Sequence, residues 1–505
     1  MPSSPLHSPR LRRIVAAYTV NRLGTWFGFI ALSIAVFDHT HSAVAVAALL
    51  VTGQLVPALL SPALVAAVEA SSRRGELSAL YLLEAAATAA LAAVLLWDFS
   101  LPGVLLLVAL DETAALGASA LLRAAAARCA REWAHSHHED APPGPRHPLA
   151  PAYAGQPGIA LAAGENLPGG GELAVNDSPA SAPGAREAGA VEAERRANAA
   201  LNVGFAGTFM VGPVLAGFVV AAFGAPTALL LDTASFAICG AMVLDLRPHV
   251  EEAEGDSVRV RLRAAWEHIV AAPTLRALLL AEGIALVFFA SDGAIEVPYA
   301  KVTLQAGARG YGLIVTMWGV GAVVGSIVFA RAVRRPLGAL LSAGALAVGL
   351  AYLGWAAAPS LAVACAVGLV GGIGNGVQWA AFISAVQRLT PSNLHGRLMG
   401  AVESLGAISP AVGLALGGAL VALSSPRGAF VVVGLGAALS TVAFVRLPLG
   451  ALTQAGVAPA SAEQPGGAKT PHSAAPPSTS LPEPNGLVDA GLPDAQASST
   501  TPSAP

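Results

Sequence analysis

Apolar residues along this chain neither alternate with polar ones nor recur at a helical period. They come in long unbroken runs separated by short polar connections. A bilayer core of ~30 Å needs roughly twenty such residues in a helix rising ~1.5 Å per residue. With that length as the ruler, the first half offers runs at 14–37, 43–68, 76–97, 103–125, 199–223 and 226–246. The second half offers runs at 275–297, 311–331, 337–357, 361–385, 398–423 and 427–447. The pattern predicts an all-α membrane protein of about twelve transmembrane helices, embedded in a lipid bilayer. The run at 14–37 follows Arg10, Arg12 and Arg13, as the core of a signal peptide would. It exceeds the roughly 7–15 apolar residues of such a core, and a second run follows at once, so it is read as the first span.

Three segments fall outside this pattern. Residues 131–190 are rich in Pro, Gly, Ala, His and acids, which predicts a disordered cytoplasmic insert between the fourth and fifth spans. Residues 451–505 have the same character and read as a disordered tail. Between the two sets of runs, 251–274 forms a linker in which Val260, Trp266 and Ile269 alternate with Arg259, Arg261, Arg263 and Glu267. That stretch predicts an amphipathic helix lying along the membrane interface. The expected organisation is a six-helix half over 1–250, the linker, a six-helix half over 275–450, and the tail.

Composition sharpens the picture. Of 505 residues, 12% are charged, about half the usual share for a soluble chain, so most of the surface avoids water. The formal net charge of −3 gives no basic excess and argues against a nucleic-acid partner. Cys129, Cys239 and Cys365 have neither metal-ligand spacing nor a pairing pattern. Arginine placement orients the array. Arg12, Arg13, Arg73, Arg74, Arg195, Arg196, Arg261, Arg263, Arg334, Arg335, Arg388 and Arg446 fall on alternate connections, while four intervening connections hold no Lys or Arg. Under the positive-inside rule both termini face the cytoplasm, with Lys301, Arg309 and Arg427 as exceptions.

Local motifs carry a family resemblance. Arg22-Leu23-Gly24-Thr25-Trp26 is followed by Thr40-His41-Ser42-Ala43; the fifth and sixth runs hold Gly212-Pro213-Val214-Leu215-Ala216-Gly217 and Leu231-Asp232-Thr233-Ala234-Ser235-Phe236; Gln387-Arg388-Leu389-Thr390-Pro391 leads to Gly396-Arg397-Leu398-Met399. Spread in this order over two sets of six spans, they resemble the major facilitator superfamily, and within it the drug/proton antiporter branch that includes macrolide-efflux permeases. The resemblance implies a bundle of two pseudo-symmetric six-helix halves and residence in a bacterial inner (cytoplasmic) membrane as a monomer. It also implies alternating access, with a proton as coupling ion and no other cofactor. In that branch the Gly-Pro motif gates a path, so Gly212, Pro213 and Gly217 are candidates for gating, or equally for plain helix packing. The loop after span two departs from the family pattern: Glu69, Arg73 and Arg74 match its acidic and basic ends, but Val65 and Ala70 replace its glycine and a basic residue.

A charge at the bilayer centre costs roughly 2.5–3.5 kcal/mol on insertion scales, so residues of this kind concentrate at functional sites. Asp111 and Glu112 lie mid-run in span four; Arg22, Glu84, Glu282, Asp292 and Glu403 are the others. Asp111 or Glu112 could bind the coupling proton, or one could pair with Arg22 as a structural ion pair. Gln54, Asn202, Asn375 and Gln378 are polar positions that could line a cavity or bond between helices. Asn375 and Gln378, three apart, share a helix face that the neighbouring Trp379 leaves. His135, His137, His138, Glu139 and Asp140 could ligate a metal but read as a solvated polar run. No nucleophile set or phosphate loop sits in a plausible context, which argues against an enzyme or an ATP-driven pump. The expected function is proton-coupled efflux of a hydrophobic or amphipathic small molecule. The alternatives are a non-transporting scaffold or sensor with the same fold, or an uptake permease.

Overall fold

Hydrocarbon offers no partners to backbone N–H and C=O groups, so apolar runs of this length close their hydrogen bonds internally as helices. In the computed structural model the described residues are 8–71, 75–138, 181–246, 267–332, 334–390, 395–449, 452–453 and 456–457. Twelve helices among them are long and apolar enough to cross a membrane. In order the helices are Pro9–Thr40, Ala43–Ser71, Glu76–Trp97, Leu101–His138, Ser181–Phe223 and Ala225–Met242, then Gly307–Arg331, Leu337–Ala357, Leu361–Arg388, His395–Leu423 and Pro426–Val445 for spans eight to twelve. Span seven is built in three pieces: Pro273–Ala290, Asp292–Pro298 and a π-helical turn at Tyr299–Thr303. Two short strands, Leu452–Thr453 and Gly456–Val457, pair antiparallel after the last helix. An even number of spans puts both ends of the bundle on one side, called here the terminal face; the other is the distal face.

Local chemistry sets the helix boundaries. Proline occupies the first turn of spans one, six, seven and twelve, where its missing N–H is no loss. Ser360 and Ser425 cap spans ten and twelve by accepting from Val363 N and Gly428 N. The reversal from span five to span six takes one residue, Gly224, at φ +84°, a conformation that costs a glycine little.

The insert expected at 131–190 is shorter than the sequence pattern indicates. The fourth helix continues to His138 and the fifth begins at Ser181, so both ends of that segment are helical. The reason is alanine, the strongest helix former. Ala126, Ala130 and Ala134 are buried in the same apolar cluster as Ala190, Ala193 and Ala197, and Arg131 pairs with Glu194 at 3.6 Å. Residues 139–180, the linker from 251 to 266 with most of its amphipathic stretch, and the tail beyond 457 lie outside the described residues; the end of that stretch is helical, and Ile269 packs against the core of the second half.

The buried apolar residues form three clusters, and their arrangement shows which side is closed. On the distal side one cluster contains residues of both halves, among them Ile30, Leu50 and Val220 with Ile295, Tyr311 and Trp355. Toward the terminal face the cores are separate: Ile14, Leu122 and Phe236 belong to one half, Leu278, Phe382 and Phe444 to the other. The halves therefore meet on the distal side and part toward the terminal face.

The seam is made of bare backbone. A Cβ on Gly217 would stand 2.6 Å from the carbonyl oxygen of Ala308 and 3.1 Å from Gly312 Cα, and one on Gly312 would strike the carbonyl oxygen of Pro213. Span eleven closes the other flank, where a Cβ on Gly418 would be 2.7 Å from Ala47 Cβ. Small residues let helices approach this closely. Three basic residues fasten the rim: Lys301 pairs with Asp38, Arg309 lies over the Phe218 ring at 4.7 Å, and Arg427 donates to the Ala358 carbonyl at 2.9 Å. On the terminal side Arg13 pairs with Asp245 and, by hydrogen bonding, holds its carboxyl below the usual range. That tie is complete at neutral pH and is lost as pH falls through the lowered value.

Gly312→Leu should force the seam apart. Overpacking costs about 1–3 kcal/mol, so the distal-open population should rise about fivefold or more. The readout is the labelling rate of Ser33→Cys, in a background lacking the native cysteines, by a membrane-impermeant thiol reagent added from the distal side. An unchanged rate would mean that the Gly217–Gly312 approach does not hold the seam.

Candidate functional site

Each half contains a cavity lined by carboxylates. In the first half a space of about 220 Å³ lies between spans one, two, three, four and six. Asp111 and Glu112 project into it from the middle of span four, Asp232 from span six, and Gln54 and Thr88 from spans two and three. Adjacent residues on a helix diverge by ~100°, and both acids still reach the cavity. Thr88 donates to Asp111 at 3.1 Å. The Asp232 carboxylate rests in a groove of span one made by Gly24 and Gly28. A Cβ on either glycine would stand 2.5 Å from one of its oxygens, and Ser235 donates to it at 3.3 Å. Apolar walls come from Phe29, Leu32, Leu49 and Leu50.

Arg22 does not pair with these acids. It donates to Ser119 at 2.9 Å and lies 5.4 Å from the centre of the Tyr18 ring, and its Nε has no partner. The ion pair considered from sequence is absent among the described residues. Behind the cavity Glu84 is fully buried with neither carboxylate oxygen bonded. An unpaired buried polar group is costly, which marks Glu84 as a group of interest that its place in span three does not reveal.

In the second half a cavity of about 310 Å³ lies between spans seven, nine, ten, eleven and twelve. Asn375 and Gln378 both line it, and Gln378 Nε2 donates to the Glu282 carboxylate at 3.3 Å. Trp379, expected to leave this face, lines the same cavity: its ring is large enough to reach the space from a neighbouring direction. The two cavities echo each other across the repeat. The fourth span of the first half carries Asp111 and Glu112, and the fourth of the second half carries Asn375 and Gln378.

Other candidates lie elsewhere. Gln54 lines the first cavity, but Asn202 is exposed on span five and lines neither. Gly212 packs on Trp26, where a Cβ would stand 2.6 Å from Cγ; Pro213 and Gly217 lie in the distal seam. Arg73 and Arg74 fall outside the described residues, as do the side chains of Glu69 and Glu403. His135 is exposed near the end of the fourth helix, and no group able to hold a metal occurs among the described residues. Glu282 is visible in the sequence as a charge inside an apolar run, whereas Asp232, which from sequence reads as a structural residue near the outer end of span six, is instead buried in the wall of the first cavity. What the sequence lacks is any sign of which residues they meet.

The Major Facilitator Superfamily family model matches residues 284–483. By sequence, no curated protein matches the chain. Among solved structures the chain resembles the nucleoside transporter NupG, at 11% identity and TM-score 0.58 over 87% of this chain and 99% of that one. It also resembles a bacterial homologue of the iron transporter ferroportin in an inward-facing state, at 15% identity and TM-score 0.57 over 87% and 98% of the two chains. A third similar structure is a bacterial homologue of the human lysosomal transporter Spinster, inward-facing and occupied, at 10% identity and TM-score 0.59 over 88% and 97%. At these identities the likeness establishes the fold, a major-facilitator-type bundle of two six-helix halves. It does not reach the drug/proton antiporter branch, which is a finer distinction.

The fit of Asp232 between Gly24 and Gly28 is testable by rescue. Gly28→Ala alone should lower stability by about 1–3 kcal/mol, read as a fall in the thermal midpoint of the purified protein. Adding Asp232→Ala makes room and should recover most of that loss relative to Asp232→Ala alone. Equal effects of Gly28→Ala in both backgrounds would mean that the carboxylate does not occupy the groove.

Proposed function

We propose that this chain is a secondary active transporter, working by alternating access and exporting an amphipathic small molecule in exchange for protons. The observation that supports this most directly is the pair of carboxylate-lined cavities, one in each half, beneath a closed distal seam and beside two cores that separate toward the terminal face. Dispersal of the polar groups over the walls of two separate spaces supports transport rather than catalysis. The arginine distribution supports a cytoplasmic terminal face, and in this reading the state with the distal side closed receives substrate from inside.

The chemistry of exchange rests on what a carboxylate can accept. Ionised Asp111 or Glu112 can be satisfied either by a donor N–H or O–H of the substrate or by a proton, and not by both at the same oxygen. One group then serves two ligands in turn, which supports antiport. The apolar walls beside it suit a substrate with one polar end, and Glu282 with Gln378 offers a second polar contact across the cleft. Pro213 and Gly217 of the Gly212-Pro213-x-x-x-Gly217 motif lie in the seam that must open to release substrate outward, which supports a gating role beyond packing.

The test is accumulation of dyes and macrolides in cells lacking their own efflux pumps, at matched membrane expression. The wild-type chain should lower accumulation. Asp111→Asn with Glu112→Gln, or a protonophore with the wild type, should return it to background. Loss with the protonophore alone would keep the exporter and remove these two residues from its coupling. No effect of the wild type across a chemically broad panel would instead favour a non-transporting role.

A further inference from the structure

The distal seam contains a second pair of acids that the exchange chemistry above does not use. Span seven breaks at Ser291, and the short helix that follows carries Asp292 and Glu296 four residues apart, hence on one face. Gly293 lies between them, where a Cβ would meet Leu414 at 2.9 Å and Leu50 of the other half at 3.5 Å, so the pair sits at the junction of the halves. Glu296 is more than nine-tenths buried. Tyr352 of span nine donates to Asp292 at 2.8 Å.

The groups facing the pair are neutral. Tyr311 of span eight lies within electrostatic reach of Glu296 and beside Ser33 of span one. Both hydroxyls are on fully buried residues and neither makes a hydrogen bond of good geometry. Spans two, eleven and twelve present Leu50, Leu414 and Phe430 to this region. The cations of this rim are engaged elsewhere: Lys301 with Asp38, Arg309 on the Phe218 ring, Arg427 on the Ala358 carbonyl. Two ionised carboxylates one helical turn apart, Glu296 buried and Asp292 half-buried, with no cation paired to either among the described residues, repel each other and lose solvation. A proton between them removes both penalties, and the Tyr311 hydroxyl beside Ser33 adds a neutral polar group to the same region.

We propose that Asp292 and Glu296 form a proton-binding site in the distal gate, occupied when the gate is closed and emptied when it opens to water. Closing the gate then requires a proton from the distal side, in addition to any proton handled at Asp111 and Glu112. The site draws its role in a cycle from the transporter reading, but its occupancy and its effect on the gate need no substrate. Ser33 also lines the first cavity, so its hydroxyl and that of Tyr311 stand between that cavity and the gate acids.

The experiment is the distance between spin labels on Ser100→Cys and Leu423→Cys, exposed at the distal ends of the two halves, in full-length protein in nanodiscs without substrate, from pH 5 to 9. The wild type should pass from short to long distances as pH rises. Glu296→Gln and Asp292→Asn should keep the short distance throughout, or move the midpoint by more than one pH unit. Tyr311→Phe, which removes only a hydroxyl, should move the midpoint upward, because the ionised pair loses a neighbouring dipole that can orient toward it. A wild-type distance that ignores pH would overturn the proposal. So would an unchanged midpoint in all three variants, since His39 and His41 on the same rim would then account for the response. Export that fails while this response persists would remove the transporter reading and leave the site.

Discussion

Two helices from opposite halves touch at their backbones where Gly217 faces Gly312, with the carbonyls of Pro213 and Ala308 filling the space that side chains would otherwise take. Much else in the molecule depends on this contact. It brings the halves together on the distal side, so the apolar core there is continuous, while the terminal-side cores stay independent. Inside a bilayer there is no hydrophobic gain in bringing one apolar helix against another; close packing supplies the attraction. A seam of small residues therefore gains much from contact and yields to a modest competing force. A gate needs both properties.

That seam also decides the setting of the charged groups. With the distal side closed and the terminal side parted, the cavities holding Asp111, Glu112 and Asp232 in one half and Glu282 in the other lie beneath a sealed roof. The roof includes Asp292, which accepts a hydrogen bond from Tyr352, and the buried Glu296. Buried carboxylates thus occur at two levels, at the walls of the cavities and in the gate above them. A protein that only needed to fold would do better without either set, because removing a charge from water without a partner is unfavourable. Their presence in both places supports the proposed link between protons and conformational change.

The same view explains the three distal cations. Lys301, Arg309 and Arg427 break the arginine pattern that orients the chain, and each is fixed to a partner at the rim: a carboxylate, an aromatic ring and a carbonyl. Two of these contacts, Lys301 with Asp38 and Arg309 with Phe218, join one half to the other. The exceptions to the topology rule are thereby fasteners of the closed face, and they leave the gate acids without a counter-ion.

The sequence by itself determined the number of helices, their all-α class and the presence of charges among the spans, because hydrocarbon thickness and backbone hydrogen bonding leave a run of twenty apolar residues no other structure. It also pointed to Asp111 and Glu112 as proton-binding candidates and to Gln54, Asn202, Asn375 and Gln378 as cavity-lining ones, since polar residues in such runs turn inward; of these Asn202 alone lines neither cavity. It misjudged the ends of the insert, where alanine-rich helices continue past the membrane, and the direction of Trp379. Only the tertiary structure decided which groups meet: Asp232 between Gly24 and Gly28, Gln378 with Glu282, and Arg22 with Ser119 rather than an acid. The reason is that a membrane helix is apolar on every side. Its sequence has no polar face to show which side packs, so helix rotation and neighbours are set by small residues and shape, which become legible only when the backbones are seen in contact.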